Sequence, residues 1–385
     1  MARIGEEPSC FNVKWLKTLP DSAHNISYVY IEHLCFSRKG AIESVFYYGT
    51  SIESVIATSK PCFMKWILSL LVGTMLTVGT SSGQDFDYSF KETYQVSTPA
   101  KLDLSSFDGN LDVVPTDDNR IEVYYIVRKG GKLLKIDREE LESELIVQTE
   151  SSGNSLRISV RDKRHNQPFN FELSFGVSFK VFVPKETSCN LATSDGNISI
   201  VRLTSDQHCK TSDGSIEVTE VSGNVTGRTS DGDVRIFKVK GGVDVGTSDG
   251  TIELENIGGD VQASTSDGNI KLNRVKGDIS VKTSDGYIDF KEISGSFRAS
   301  TSDGNIRGSV VDLKKELTLK TSDGNIEVTI PQQLGLDLDI KGESIDVPFK
   351  NFTGKFDKTF VRGQSNGGGI PVMLSTSGGN VRLTY

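Results

Sequence analysis

The sequence predicts an all-β fold: a parallel β-solenoid with 18-residue coils, two short strands in each coil, and right-handed crossovers. The first reason is the repetition of Thr-Ser-Asp-Gly, which occurs eight times. Seven copies follow one another every 18 residues, from Thr193 to Thr301, and the eighth begins at Thr321. A fixed period of this length is typical of proteins whose repeats stack on their neighbours.

The second reason is the alternation of residues within each repeat. When Thr is counted as position one, positions six, eight, fifteen and seventeen are apolar, as in Ile270, Leu272, Ile279 and Val281. This spacing of two indicates strands with one buried face. Thr-Ser-Asp-Gly and the Gly at position thirteen mark the two turns. We expect Gly to supply a positive φ and Asp to bind the backbone of its own turn.

The third reason is a column of charges at position seven, which the alternation places outside. From the second repeat on, it is occupied by Glu217, Arg235, Glu253, Lys271, Asp289, Arg307 and Glu327. The sign changes at every step. Coils stacked in register, about 4.8 Å apart, would make these side chains direct neighbours of opposite charge.

The N-terminal part of the chain contains a candidate signal peptide at residues 64–83. Met64 and Lys65 precede an apolar run from Trp66 to Val78, and small residues follow up to Gly83. The run is shorter than the roughly 20 residues that span a bilayer. We predict that residues 1–63 are a mis-annotated upstream extension and that no stable membrane span remains after cleavage. The alternative is a signal anchor with a small cytoplasmic tail.

Three further regions are predicted along the exported chain. Residues 84–190 form an irregular β region, in which Ser106 to Val113 echo the repeat and a short helix begins with a capping box, Asp137 and Glu140. Residues 191–330 form the regular solenoid. Residues 331–385 form irregular coils and a cap, with the template returning at Thr376. We expect aromatic side chains to cover this end: Phe349, Phe352, Phe356 and Phe360.

The conspicuous candidate site is the ladder of aspartates at position three. Its members are Asp195, Asp213, Asp231, Asp249, Asp267, Asp285, Asp303 and Asp323. Carboxylates stacked in this way repel one another unless something satisfies them. Local backbone hydrogen bonds are the favoured solution. Bound Ca²⁺, as in calcium-dependent β-rolls, is the alternative, although the double Gly of those repeats is missing here.

Composition argues against several function classes. The net charge is −8, without a basic stripe, so we expect no nucleic-acid partner. Only His165 and His208 follow the predicted cleavage site, which leaves no catalytic or transition-metal constellation. Cys189 and Cys209 fall in adjacent coils and are offset by two residues along the strand direction. Free buried cysteines are therefore favoured, with a disulfide left open.

The repeated turns, Phe182-Val183-Pro184-Lys185 and the terminal stretch from Ser375 to Leu383 give the chain a family resemblance. From about residue 86 to residue 385, it resembles the bacterial putative-adhesin family of β-solenoid domains. The resemblance implies a surface or adhesive role and carries over no catalytic residues.

The function that these observations favour is an exported, non-enzymatic interaction module, which would be periplasmic, cell-surface or secreted. Its partner would be a cell-envelope polymer, a glycan or a protein, contacted many times along a rigid rod. No cofactor is expected. The alternatives are a calcium-dependent β-roll-like secreted protein and a solenoid carbohydrate-active enzyme.

Overall fold

The computed structural model describes residues 34–36, 42–44, 86–163, 175–348 and 351–385. The chain divides into two compact units, Met1–Gln84 and Asp85–Tyr385. In the first unit, strands β1 (Leu34–Phe36) and β2 (Ile42–Ser44) pair antiparallel. Residues 64–83 lie outside the described part, so the signal peptide and the upstream extension stay predictions. No helix within the described ranges has the length and hydrophobicity to span a membrane.

The described residues of the second unit form 27 strands in one continuous sheet and one helix, α1 (Arg138–Glu144). Its first strands are β3 Phe90–Gln95, β4 Ala100–Ser106, β5 Leu111–Thr116, β6 Arg120–Lys129, β7 Lys132–Leu133, β8 Leu145–Ser152, β9 Ser155–Asp162, β10 Phe175–Pro184, β11 Thr187–Ala192, β12 Ile198–Val201, β13 Gln207–Lys210, β14 Ile216–Val221, β15 Val225–Arg228, β16 Val234–Val239, β17 Val243–Gly246, β18 Ile252–Ile257 and β19 Val261–Ser264. The chain continues with β20 Ile270–Lys282, β21 Ile288–Ser300, β22 Ile306–Lys320, β23 Ile326–Thr329, β24 Leu336–Lys341, β25 Ser344–Asp346, β26 Phe352–Phe356, β27 Phe360–Ser365, β28 Ile370–Ser375 and β29 Asn380–Thr384.

Each regular coil contributes two strands, and both pair in parallel with the next coil, 18 residues on. Ile198 lies opposite Ile216, and Gln207 lies opposite Val225. We call the outer surface of the strands at positions six to nine face 1, and that of the strands at positions fifteen to eighteen face 2. The apolar side chains of both sets point inward and are almost fully buried. The predicted parallel β-solenoid is therefore confirmed, while the hand of its crossovers stays a prediction.

The charge column at position seven confirms the predicted register. Glu253 lies opposite Lys271, and Asp289 lies opposite Arg307. Lys271 Nζ is 2.9 Å from Glu253 Oε1, and Arg307 Nε is 2.6 Å from Asp289 Oδ1. These exposed pairs contribute only about 0–1 kcal/mol each, so they specify register more than they stabilise the coil.

The solenoid begins with the coil made by β4 and β5. Ala100 pairs with Thr187, and Leu111 pairs with Ile198, as the echo of the repeat predicts. Strands β6 to β10 form an excursion from this coil that extends both face 1 and face 2 beyond it. Helix α1 lies in the excursion, and Asp137 and Glu140 form its predicted capping box.

The C-terminal coils do not follow chain order. Leu317 pairs with Val372 and Ile326 with Val381, so the last template coil stacks directly on the coil of Thr321. The segment between Thr321 and Thr376 therefore does not lie between these two coils; its strands β24 and β25 pair in parallel with β28 and β29. The intervening segment lies beyond the last template coil, where β24 pairs with β28.

The aromatic cap expected at this end is only partly present. Phe349 lies outside the described residues. Phe352 packs against the core, whereas Phe356 and Phe360 are 59% and 38% exposed. The antiparallel strands β26 and β27 extend the sheet at this end, and they cover it more than the aromatic side chains do.

The turn glycine at position four has a different role from the one expected. Its φ lies outside the left-handed region in all eight Thr-Ser-Asp-Gly turns. A Cβ at Gly268 would lie 1.8 Å from the carbonyl oxygen of Gly250 in the preceding coil. Close backbone contact between coils therefore requires glycine. Positive φ occurs instead at position ten, where Lys238 and Arg274 have φ of 56° and 54°.

Candidate functional site

The threonine at position one organises each turn. Thr283 is 1% exposed, and its Oγ1 lies 3.0 Å from Ser266 O and 2.9 Å from Gly268 O of the preceding coil. The same oxygen accepts a hydrogen bond from Gly286 N at 3.3 Å. Because each threonine links two coils, the ladder is structural rather than catalytic.

Replacing Thr283 with valine should lower the free energy of unfolding by about 1–3 kcal/mol, because buried polar groups lose their partner. Urea denaturation followed by circular dichroism measures the change. Thr219→Val is the matched control, since the Thr219 side chain is half-exposed on face 1. Equal stability of the two variants would contradict a bonding role for the ladder.

The aspartates of the ladder are all exposed. From Asp213 on, their backbone N–H groups donate to the serine carbonyl of the preceding coil, as Asp267 N does to Ser248 O at 2.9 Å. Within the part of the chain that the structure describes, no hydrogen bond or ion pair of their carboxylates is found. We expected the aspartate carboxylate to bind the backbone N–H groups of its own turn. The threonine hydroxyl of the turn does so instead.

A second side-chain ladder, at position five, was not anticipated from the sequence. Asn197 Oδ1 accepts from Ser215 N at 2.8 Å, and Asn305 Oδ1 accepts from Asn325 N at 2.8 Å. The frequent Asn after Thr-Ser-Asp-Gly is the signal that could have revealed it. These side chains bind the turn of the next coil.

Calcium binding by the aspartate ladder stays an untested alternative. Among the described residues, no three His, Cys, Asp or Glu side chains converge closely enough to hold a metal ion. We expect the thermal midpoint of residues 86–385 to be the same with Ca²⁺ and with a chelator, because ligation requires several oxygens around one ion. Circular dichroism measures the thermal midpoint, and a lower midpoint in the presence of the chelator would contradict this expectation.

The remaining candidates within the described ranges do not form a reactive cluster. Cys189 and Cys209 are free and buried, as favoured by the sequence. Burial raises the pKa of both thiols, that of Cys209 to about 12, so neither is a nucleophile at neutral pH. His208 is exposed on face 2. His165 lies outside the described residues.

Face 2 carries two adjoining shallow grooves. One, of about 550 Å³, crosses β9, β4, β11, β13 and β15. The other, of about 440 Å³, continues across β15, β17, β19, β20 and β21. They share Asn224 and Thr226. We call the pair the face 2 trough, and its nine strands give it a length of roughly 38 Å.

Polar and charged side chains line the trough, with a mild excess of acidic groups. Cationic groups lie at its ends, with carboxylates along its length: Lys101, Arg157, Arg298, Asp103, Asp206, Asp244, Asp260 and Asp278. The ammonium of Lys315 donates to Asp278 and, together with Ser296, lowers the pKa of that carboxyl. A lowered carboxyl pKa is unsuited to a general acid at neutral pH.

Face 1 carries a groove of about 710 Å³ between the columns at positions seven and nine. Lys271, Asp289 and Arg307 line one side, and Asn273 and Lys291 line the other. Asn273 Oδ1 is a buried oxygen for which the described structure offers no hydrogen-bond partner.

The class of protein is thus a parallel β-solenoid with polar outer grooves. The family description Toastrack DUF4097 matches residues 100–291 and 278–384. The chain belongs to the Toastrack DUF4097 family. No curated protein matches the chain.

Two solved structures are similar to the chain. A putative adhesin from Bacteroides fragilis NCTC 9343 is 15% identical, with a TM-score of 0.35, over 63% of this chain and 96% of that one. A putative cell adhesion protein from Clostridium sporogenes ATCC 15579 is 11% identical, with a TM-score of 0.20, over 77% and 98%. The match to the family, and not these two structures, confirms the resemblance predicted from the sequence.

Proposed function

We propose that this protein is an exported, non-enzymatic, adhesin-like interaction module that holds an extended partner in the face 2 trough. The partner would be a cell-envelope polymer, a glycan or a protein. Export is inferred from the sequence at residues 64–83. The observation that carries the proposal is the trough itself, a surface roughly 38 Å long that polar and charged side chains line along its length.

The shape of the trough suits an extended partner better than a small substrate. Small ligands are usually held in enclosed, largely apolar pockets with a few convergent polar groups. Here, polar side chains recur at every strand spacing, among them Asn190, Gln262 and Ser280. A chain lying across the strands would make many weak contacts that add up.

The test is sedimentation of purified residues 86–385 with peptidoglycan sacculi and with insoluble bacterial polysaccharides. Thr226→Arg places a large side chain where the two grooves meet, and it should lower retention about tenfold by dividing the contact surface. Met373→Arg is the matched control, because Met373 is an exposed face 2 residue beyond the trough, opposite Asp339.

Three results would overturn the proposal. The first is no retention of the wild-type protein on any polymer, and the second is equal retention of wild type and Thr226→Arg. The third is release of soluble fragments from the polymer, which would favour the carbohydrate-active enzyme instead.

A further inference from the structure

The N-terminal half of face 1 carries apolar side chains at outward positions, which most strands of the solenoid fill with polar ones. Four aromatic rings cluster on its outer surface: Phe86, Tyr88, Tyr124 and Phe182. The Tyr124 ring centroid lies 5.1 Å from that of Phe86, 5.0 Å from that of Tyr88 and 5.6 Å from that of Phe182. None of the four belongs to the hydrophobic core or packs against it.

An outward apolar column continues from this cluster. Phe182 lies opposite Val114 in the sheet. Val114 in turn lies next to Val201, because the residues that precede them, Val113 and Ile200, are paired. Val201 lies opposite Thr219, and Thr219 lies opposite Phe237. From Phe182 to Phe237, the column spans four strand spacings, roughly 19 Å. We call the four rings and this column the face 1 stripe.

The stripe is half-exposed, although outer positions of a sheet with one solvated face are normally polar. A contiguous apolar patch with a polar border is typical of an interaction site.

Lysines border the rings of the stripe. Lys180 Nζ lies 4.6 Å from the Phe86 centroid and Lys91 Nζ 5.2 Å from that of Tyr124. Lys135 lies 5.8 Å from the Tyr88 centroid and Lys238 4.9 Å from that of Phe237.

Each of these lysines is matched by a carboxylate. Lys91 lies 3.6 Å from Glu122, Lys135 lies 3.5 Å from Asp87, and Lys238 lies 3.0 Å from Glu220. Lys180 lies opposite Asp112 in the sheet. The border therefore has donors and acceptors in equal measure and no excess of either charge. Anionic polymers and anionic membranes are attracted by an excess of positive charge, which this border lacks.

We propose that the face 1 stripe binds a neutral saccharide chain. The apolar faces of sugar rings would stack on the aromatic side chains, and the hydroxyl groups would bond to the lysines and carboxylates of the border. Amphipathic Tyr and planar rings lose little conformational freedom when they bind in this way. The stripe lies on the opposite face from the trough, so this inference does not depend on the proposed function.

The experiment is calorimetric titration of residues 86–385 with neutral hexasaccharides of glucose, N-acetylglucosamine and mannose. At least one should bind. Tyr124→Ala, Phe237→Ala and Thr219→Arg should each weaken binding about tenfold, because they remove a ring or interrupt the column. Phe360→Ala is the matched control, since Phe360 is an exposed ring outside the stripe and the trough. Circular dichroism verifies that each variant is folded.

The dependence on salt tests the neutrality of the ligand. Raising NaCl from about 0.1 to about 1 M should leave the affinity unchanged, because screening acts on charges. The proposal would be overturned by a steep loss of affinity with salt, by the absence of binding to all three hexasaccharides, or by full binding in the three stripe variants. A membrane surface would be favoured instead if the wild-type protein sedimented with vesicles of phosphatidylglycerol and phosphatidylcholine and Tyr124→Ala did not. That result would also overturn the proposal.

Discussion

Gly268→Ala is expected to be among the most damaging single substitutions in the regular solenoid, lowering the free energy of unfolding by about 4 kcal/mol or more. The added Cβ would lie 1.8 Å from Gly250 O, 2.6 Å from Gly250 C and 2.9 Å from Thr265 Oγ1. Two of these three atoms belong to the backbone, which cannot move aside as a flexible side chain can. The two coils would have to separate, and separation breaks the hydrogen bonds of both faces at once.

The position of Gly268 near the middle of the rod makes the outcome distinctive. Coils of a repeat protein contact only their neighbours, so a weakened interface divides one cooperative unit into two. We expect urea denaturation followed by circular dichroism to show two transitions where the wild-type protein shows one.

Ser266→Ala, in the same turn, is the control for Gly268→Ala. Ser266 is exposed, and only its backbone bonds to the neighbouring coils, so stability should change by less than about 0.5 kcal/mol. A single transition with near wild-type stability in Gly268→Ala would refute the close-contact role of this glycine.

The sequence predicted the solenoid well because its constraints are local and repeated. Alternation within one repeat places Ile270 and Leu272 inside and Lys271 outside, and the 18-residue period then stacks every equivalent position. The alternating charges at position seven independently predicted the register between adjacent coils.

What the sequence did not reveal depends on contacts between backbones of different coils. The glycine of Thr-Ser-Asp-Gly was attributed to a positive φ, whereas the neighbouring carbonyl excludes a Cβ. The left-handed residues at position ten include Glu220, Lys238 and Arg274, whose types give no hint of that conformation. The order of the last coils was hidden for a similar reason, because β22 pairs with β28 across a long insertion.

The candidate surfaces were also hidden, although for a different reason. The face 1 stripe combines Phe182, Val114 and Phe237, which come from strands that are distant or out of order in the chain. The trough likewise begins at β9, which pairs with β4 only because the excursion folds back on the first coil. Periodicity says which side of each strand faces outward, but the neighbours of irregular strands depend on tertiary structure.

Glu92→Gln is expected to have the second-largest effect, about 2–3 kcal/mol at neutral pH, at the N-terminal end of the rod. Glu92 Oε2 accepts hydrogen bonds from Tyr94 Oη at 2.7 Å and Tyr125 Oη at 2.8 Å. Arg138 of α1 donates to both carboxylate oxygens at 3.0 Å and also to Thr149 of β8. One half-buried carboxylate thus joins β3, β6 and, through Arg138, α1 and β8.

The effect of Glu92→Gln should depend on pH in a defined direction. Burial alone would raise the pKa of Glu92, but the hydrogen bonds from Tyr94, Tyr125 and Arg138 outweigh it and lower the pKa below its ordinary value of 4.5. A carboxyl whose folded-state pKa is lowered stabilises the fold fully above its unfolded value and loses this contribution as pH falls through the folded-state value. The stability difference between wild type and Glu92→Gln should therefore be largest near pH 7 and vanish in acid.

Glu142→Gln separates this network from a general loss of charge near Arg138. Glu142 Oε1 also accepts from Arg138, at 2.7 Å, but its side chain is 44% exposed. Its replacement should therefore change stability by only about 0–1 kcal/mol at any pH. Hydrogen exchange should show the loss in Glu92→Gln confined to β3, β6, β8 and α1, because distant coils are not in contact with the network. A pH-independent difference, or equal effects of the two variants, would mean that the Glu92 carboxylate does not hold this end of the rod together.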